Sequence, residues 1–216
     1  MVLQDSTGFD AEGLIQGVKL AEYGLKPGDL TELKRLFEHA TTFGSLIQVP
    51  EGLASSLPAL KQLSEATSQD LFVSEALKRL GPLVQQAELL AAQYDAVVAN
   101  PPYMGSKYQP PILKKYLKDY YAGYEKDFFS AFVERDLTFS KPHGRLGFMS
   151  PFVWMFISTH EHLRIRLINA ETITSLVQLE YSGFEGATVP ICTFTLQKGH
   201  LKNQVGCYVR LSSFRG

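Results

Sequence analysis

The sequence predicts an α/β fold built on a mostly parallel sheet. Three observations predict it. Short apolar runs of strand length recur through residues 94–211, stretches of helical periodicity separate them, and one run ends abruptly in Asn100-Pro101-Pro102-Tyr103. Open α/β sheets gather their chemistry at the carboxyl ends of strands, so a polar amide, two rigid turns and an aromatic face at such an end mark the expected site.

The elements follow in chain order. Residues 1–28 are Gly-rich and weakly patterned. Asp29 and Glu32 form a capping-box pattern ahead of Leu33, Leu36 and Phe37, which share one helix face. Residues 43–49 read as a short strand. Residues 50–93 are rich in Leu and Ala at helical spacing, with breaks expected at Pro50, Pro58 and Gly81-Pro82, so two or three helices are predicted. Residues 94–99 are apolar and read as a buried strand. A loop to Pro111 and a tyrosine-rich helical stretch with Tyr116, Tyr120, Tyr121 and Tyr124 come next. Phe128, Phe132, Val133 and Leu137 form a helix face that ends at Pro142-His143-Gly144. Residues 146–149 are a second strand. Ser158 with Glu161 reads as a capping box for a helix through Ile168.

Residues 173–179, 189–196 and 205–211 supply the remaining strands. The connection between the first two of these is too short for a crossover helix, which makes them antiparallel neighbours. The chain divides into a mostly helical segment, 1–93, and a sheet-forming segment, 94–216.

Composition bounds the function. A chain of 216 residues with 45% hydrophobic residues suits one or two domains with a real core. A net charge of −1 argues against a free-standing DNA-binding module, which should be basic. A local basic face could still form from Lys107, Lys114, Lys115 and Lys118, or from Arg164, Arg166, Lys198 and Lys202. Cys192 and Cys207 lack metal-ligand spacing. Cys192 reads as a buried thiol, and a reducing cytoplasm fits. No signal peptide opens the chain, and no apolar run is long enough to span a membrane. His160 and His162 do not share a helix face, so no metal site is expected. Glu134, Arg135 and Asp136 read as a solvated face or a salt bridge.

The tetrapeptide suits one chemistry closely. The exocyclic amino group of adenine is a poor nucleophile because its lone pair is delocalised into the ring. Two acceptors aimed at its two N–H bonds draw the lone pair back onto nitrogen. The Asn100 side-chain oxygen and the Pro101 carbonyl can be those acceptors. Proline fixes its own φ and restricts the preceding residue, so Asn100 and Pro101 are held rigid, as electrostatic preorganisation requires. Tyr103 offers a π-face to a base rotated out of the duplex.

With these residues the chain resembles the amino-group (N6-adenine) DNA methyltransferases, whose catalytic motif is Asn-Pro-Pro-Tyr at a strand end. Residues 127–135 resemble the family's next helix. Lys141-Pro142-His143-Gly144 resembles its Lys-Pro-Gly-Gly turn. Residues 184–189 resemble the loop carrying a second stacking aromatic, here Phe184. Residues 43–47 and 210–216 further resemble the BREX and phage-growth-limitation methylases of phage defence.

The resemblance implies a partial class I (Rossmann-like) methyltransferase sheet with an antiparallel edge hairpin, preceded by an N-terminal helical segment. It implies S-adenosylmethionine as methyl donor, double-stranded DNA as substrate, and the rest of a methylase or other defence subunits as partners. It assigns Asn100, Pro101, Pro102 and Tyr103 to catalysis, Tyr103 and Phe184 to the flipped base, and Asn100, Pro102 and Phe132 to the donor.

The donor's main Gly-rich loop is not recognisable. Gly13 to Gly17 and Gly24 to Gly28 are Gly-spaced, but no strand-like run precedes either. The chain is therefore expected to be a middle piece of a larger methylase, inactive alone and unable to hold the donor. Two other readings remain open: a non-catalytic DNA-binding or assembly subunit on a methylase scaffold, and a methylase of protein glutamine or RNA.

Overall fold

The computed structural model describes residues 3–180 and 190–211. The chain forms two compact units, residues 1–92 and 93–216.

The N-terminal unit is helical among its described residues: α1 (Ala11–Gly17), α2 (Pro27–Leu36), α3 (Ala40–Phe43), α4 (Glu51–Ser64) and α5 (Leu71–Ala91). The strand expected at 43–49 is instead the end of α3 and a 3₁₀ turn, Gly44–Leu46. Its apolar residues Leu46 and Ile47 are buried among helices, and a short apolar run carries no periodicity that separates the two states. Asp29 is the third residue of α2 rather than its cap, and its carboxylate accepts the Lys26 N–H at 2.7 Å.

Pro58 and Pro82 do not break their helices. Each ring lies on the exposed side, while Leu53, Leu57, Leu60 and Leu63 continue the buried face of α4. Leu77, Leu80, Leu83, Val84 and Ala87 do the same for α5. An interior proline costs about 3 kcal/mol, and each fully buried leucine returns roughly 1.5–3 kcal/mol, so the continuous apolar face prevails.

The second unit holds β1 (Tyr94–Ala99), α6 (Pro111–Tyr120), α7 (Phe128–Phe139), β2 (Ser140–Pro151), α8 (Glu161–Ala170), β3 (Thr172–Gln178), β4 (Ile191–Gln197) and β5 (Cys207–Arg210). The sheet order is β1-β2-β4-β3-β5. β1 and β2 are parallel, as are β3 and β5, and β4 runs antiparallel to both β2 and β3. The β3–β4 antiparallel pair is as expected. The antiparallel strand, however, lies inside the sheet, because β4 inserts between β2 and β3 and β5 adds outside β3. Helix α8 opens through a 3₁₀ turn, Ser158–His160, with His160 rather than Ser158 at its cap.

One face of this sheet carries the core. Leu146 and Phe148 of β2, Cys192, Phe194 and Leu196 of β4, and Leu176 of β3 pack with Phe129, Val133 and Leu137 of α7 and Leu163 and Leu167 of α8. Phe148 and Phe194 are register partners with ring centroids 5.1 Å apart. Cys192 is buried as expected, and burial pushes its thiol up.

β1 departs from its reading as a buried strand. Val97 and Ala99 face the core, but Val98 on the opposite face is 86% exposed, and among the described residues β1 pairs only with β2. The irregular first part of β2, where its register against β1 shifts, has a backbone reason. His143 adopts φ 63°, where glycine is favoured, and it stands where the resembled turn has its first glycine. A Cβ at Gly144 would press on Ser140 Oγ and on the Asp95 carbonyl, so only glycine lets β2 settle against β1.

Candidate active site

β1 ends at Ala99, and Asn100 begins the loop beyond the sheet. Pro101 is buried, whereas Asn100 and Pro102 are exposed. Tyr103 turns back onto the core, and its hydroxyl donates to Asn100 Oδ1 at 3.2 Å. Burial pushes the Tyr103 phenol above its ordinary range, so it stays protonated and keeps this donor role. The four motif residues thus form one rigid bend at a strand's carboxyl end.

The loop that follows is tied to the start of α7. Phe128 N–H donates to the Met104 carbonyl at 2.9 Å, Ser106 N–H to the Lys126 carbonyl at 2.9 Å, and Gly105 bridges Asp127 in antiparallel fashion. The buried Gln109 side chain reaches the carbonyls of Met104 and Glu125. Asp127 caps α7 by accepting the Phe129 N–H at 3.3 Å, and burial raises its carboxyl despite that bond. These locks were not read from the sequence. The Asp before Phe128-Phe129 is an ordinary N-cap signal that could have revealed one of them.

Phe132, expected beside the donor, lies one turn into α7 and meets Phe128 edge-on at 4.9 Å. The clamp between Met104 and Phe128 therefore brings the motif loop and the Phe132 turn of α7 to the same end of the unit. Phe184 lies outside the described residues.

The adjacent charges on α7, read as a solvated face or a salt bridge, are not solvated, and Glu134 does form an ion pair, with Arg166. Arg135 and Asp136 are buried, and Glu134 is half-buried. Helix α7 packs inside the unit on most sides, so its polar residues are carried in with it. Burial pushes the Asp136 carboxyl up to about 7, with Arg135 opposing. The Arg135 guanidinium sits over the Phe139 ring at 3.9 Å. Arg166 Nη1 pairs with Glu171 Oε1 at 2.5 Å, and its Nε stands 3.5 Å from Glu134 Oε2. His160 is buried, with Nδ1 3.0 Å from Ser130 Oγ. Among the described residues no group of three metal-ligating side chains forms, and no helix is long and apolar enough to cross a membrane.

The fit to a sulfonium methyl donor is partial. Asn100, Pro102 and the half-buried aromatic Phe132 suit the neighbourhood of a transferable methyl group. Gly13 to Gly17 fall in or against α1, and Gly24 to Gly28 run from a 3₁₀ turn into α2. Neither is a strand-to-helix turn, the arrangement that cradles a nucleoside in open α/β folds.

The profile of the Eco57I restriction-modification methylases matches residues 30–184. The chain belongs to that family. Two relatives carry the match further. The chain is 36% identical over 185 residues to the adenine-specific methyltransferase BrxX of Escherichia coli O9:H4 (strain HS), covering 83% of this chain and 15% of BrxX. It is 30% identical over 195 residues to the adenine-specific methyltransferase PglX of Lacticaseibacillus casei (strain Zhang), covering 87% of this chain and 16% of PglX. The chain thus spans about one sixth of the length of these curated relatives. Among solved structures, the Type ISP restriction-modification enzyme LlaGI, solved with a DNA substrate mimic, aligns over 97% of this chain and 24% of LlaGI, at 16% identity and a TM-score of 0.44. Membership of an Eco57I-type methylase family bears out the resemblance read from Asn100-Pro101-Pro102-Tyr103 and the segments after it.

Proposed function

We propose that this chain supplies the base-handling half of an S-adenosylmethionine-dependent DNA methyltransferase that modifies the N6 amino group of adenine. The observation that carries the reading is the bend at Asn100, with its amide oxygen held at the strand end beside a partly buried aromatic ring. Family membership and the names of BrxX and PglX support it.

In this reading Asn100 Oδ1 and the Pro101 carbonyl accept the two amino N–H bonds of a flipped adenine. Both acceptors are positioned before the substrate arrives, and the base need only replace the Tyr103 hydroxyl on Asn100 Oδ1 for both to face the nitrogen as positive charge develops on it. Tyr103, and Phe184 on the other side, stack on the base and offset part of the unstacking cost. Phe132 and Pro102 border the space for the donor, which supplies an electrophilic methyl group on sulfur. A nitrogen so held would form its bond to the methyl carbon in line as the carbon–sulfur bond breaks, leaving a neutral thioether, and positioning with electrostatics would supply the catalysis. The nitrogen would then lose its extra proton to solvent. The substrate is double-stranded DNA, and the setting is phage defence or restriction-modification in the cytoplasm, with other segments of the methylase or other subunits completing the donor site.

The test is direct. The full-length protein, incubated with DNA and methyl-labelled donor, should place label on N6-methyladenine after digestion to nucleosides. Label on cytosine, on protein, or on nothing while DNA binding persists would overturn the reading.

A further inference from the structure

We propose that residues 107–118 form a phosphate-contacting surface for the duplex beside the flipped base, with Lys107, Lys114 and Lys118 as the contacting groups. This rests on the DNA methyltransferase reading above and adds where the DNA backbone is held.

Helix α6 is anchored by one face, through the buried Leu113 and Leu117, with Tyr121 buried at its carboxyl cap. Helical geometry then sends Lys114 and Lys118 outward together, about 6 Å apart along the axis. Both are exposed. Lys115 on the same outer side is engaged, since its ammonium pairs with Asp119 at 2.6 Å. Lys107, Lys114 and Lys118 have no carboxylate within ion-pair distance among the described residues. Residues 107–119 hold four lysines and one aspartate in a chain whose net charge is −1. A concentrated positive surface on a slightly acidic protein is the footprint of polyanion contact.

Three of the four other basic candidates are engaged, and Lys202 alone of that set stays exposed without an ion pair among the described residues. Arg164 donates to the carbonyls of Trp154 and Ile157, Arg166 pairs with Glu171, and Lys198 donates to the Ser140 carbonyl at 2.6 Å. These cations hold the fold together.

The surface also lies beside the motif. Lys107 is four residues past Tyr103, in a turn closed by the Tyr108 N–H to the Gly105 carbonyl at 2.9 Å. The Gln109 amide, folded back on the Met104 carbonyl, fixes where α6 begins. Tyr108 is 74% exposed with the Lys107 ammonium over its ring at 5.7 Å, so a cation and an aromatic face stand together at the edge of the bend. A base leaving the stack at Asn100 brings its flanking phosphates to this side.

The experiment is a salt titration of DNA binding by the full-length protein, read by fluorescence anisotropy on a labelled duplex between 50 and 200 mM salt. Each lost phosphate contact should flatten the log–log slope by about 0.9. The double variant Lys114→Gln/Lys118→Gln should therefore flatten it by nearly two. Across that fourfold salt range it should lose roughly twelvefold less affinity than the wild type. Its preference between target and non-target duplexes should not change. Lys114→Arg/Lys118→Arg should keep the wild-type slope, and so should Lys19→Gln/Lys78→Gln in the N-terminal unit. A wild-type slope in the glutamine pair, or equal flattening in the N-terminal control, overturns the surface while leaving the methyltransferase reading standing. Absence of DNA binding by the wild type at every salt concentration overturns both.

Discussion

The Tyr103 hydroxyl donates to Asn100 Oδ1 at 3.2 Å, the oxygen that an adenine amino group would need as its acceptor. In the free protein the motif therefore satisfies itself: Tyr103 orients the amide so that oxygen, not nitrogen, faces its hydroxyl. In the proposed reading, an arriving base would take over that hydrogen bond as it stacks on the ring.

Tyr103→Phe removes the hydroxyl and keeps the π-face. Methylation should stay within a few-fold of wild type. Tyr103→Ala removes both, and stacking is worth roughly 1–3 kcal/mol per base. A 2-aminopurine at the target position should lose its flipping-dependent fluorescence in the alanine variant only. Equal loss in the phenylalanine variant would mean that the hydroxyl, not the ring, engages the base.

Asp136 makes the second unit sensitive to pH. Its folded-state carboxyl is raised by burial to about 7, above the ordinary value near 4. The folded state therefore holds a proton that the unfolded chain has released over this window. Its contribution to stability is fully present below about pH 4 and is lost as pH rises to about 7. Asp136→Asn keeps the shape without the charge. Urea unfolding should show the variant gaining most on the wild type at pH 8 and little at pH 4. A constant difference across that range would contradict the burial argument.

The open strand β1 predicts self-association. Val98 is 86% exposed, and β1 lies at one end of the sheet order, with β2 as its one strand neighbour among the described residues. The 216-residue chain should elute partly as higher species in size-exclusion chromatography, and Val98→Lys should shift it towards monomer. An unchanged profile would assign the association to another surface.

Local signals were legible in the sequence, and signals that depend on packing were not. The strand at 94–99 and its Asn-Pro-Pro-Tyr end could be read because apolar runs and proline act within a few residues. Pro58 and Pro82 misled because the buried leucines on either side outweigh a single helix breaker on the exposed side. Arg135 and Asp136 misled because charge suggests solvent, whereas α7 is enclosed by Phe129, Val133 and Leu137 of the core. The order of β3 and β4 required knowing that β4 inserts beside β2. The bond between Tyr103 and Asn100 depends on how the ring turns back to the core, which no spacing encodes.

The claim that Asn100 activates the amino group is tested most directly by comparing single-turnover methylation with DNA binding in Asn100→Ala of the full-length protein. Losing one preorganised hydrogen bond to a developing charge typically costs about 2.7–4 kcal/mol, or a factor of 10²–10³ in rate. The account predicts N6-methyladenine formation slowed by at least that factor, with duplex affinity within about threefold of wild type. Methylation at a near-wild-type rate in the alanine variant would contradict it.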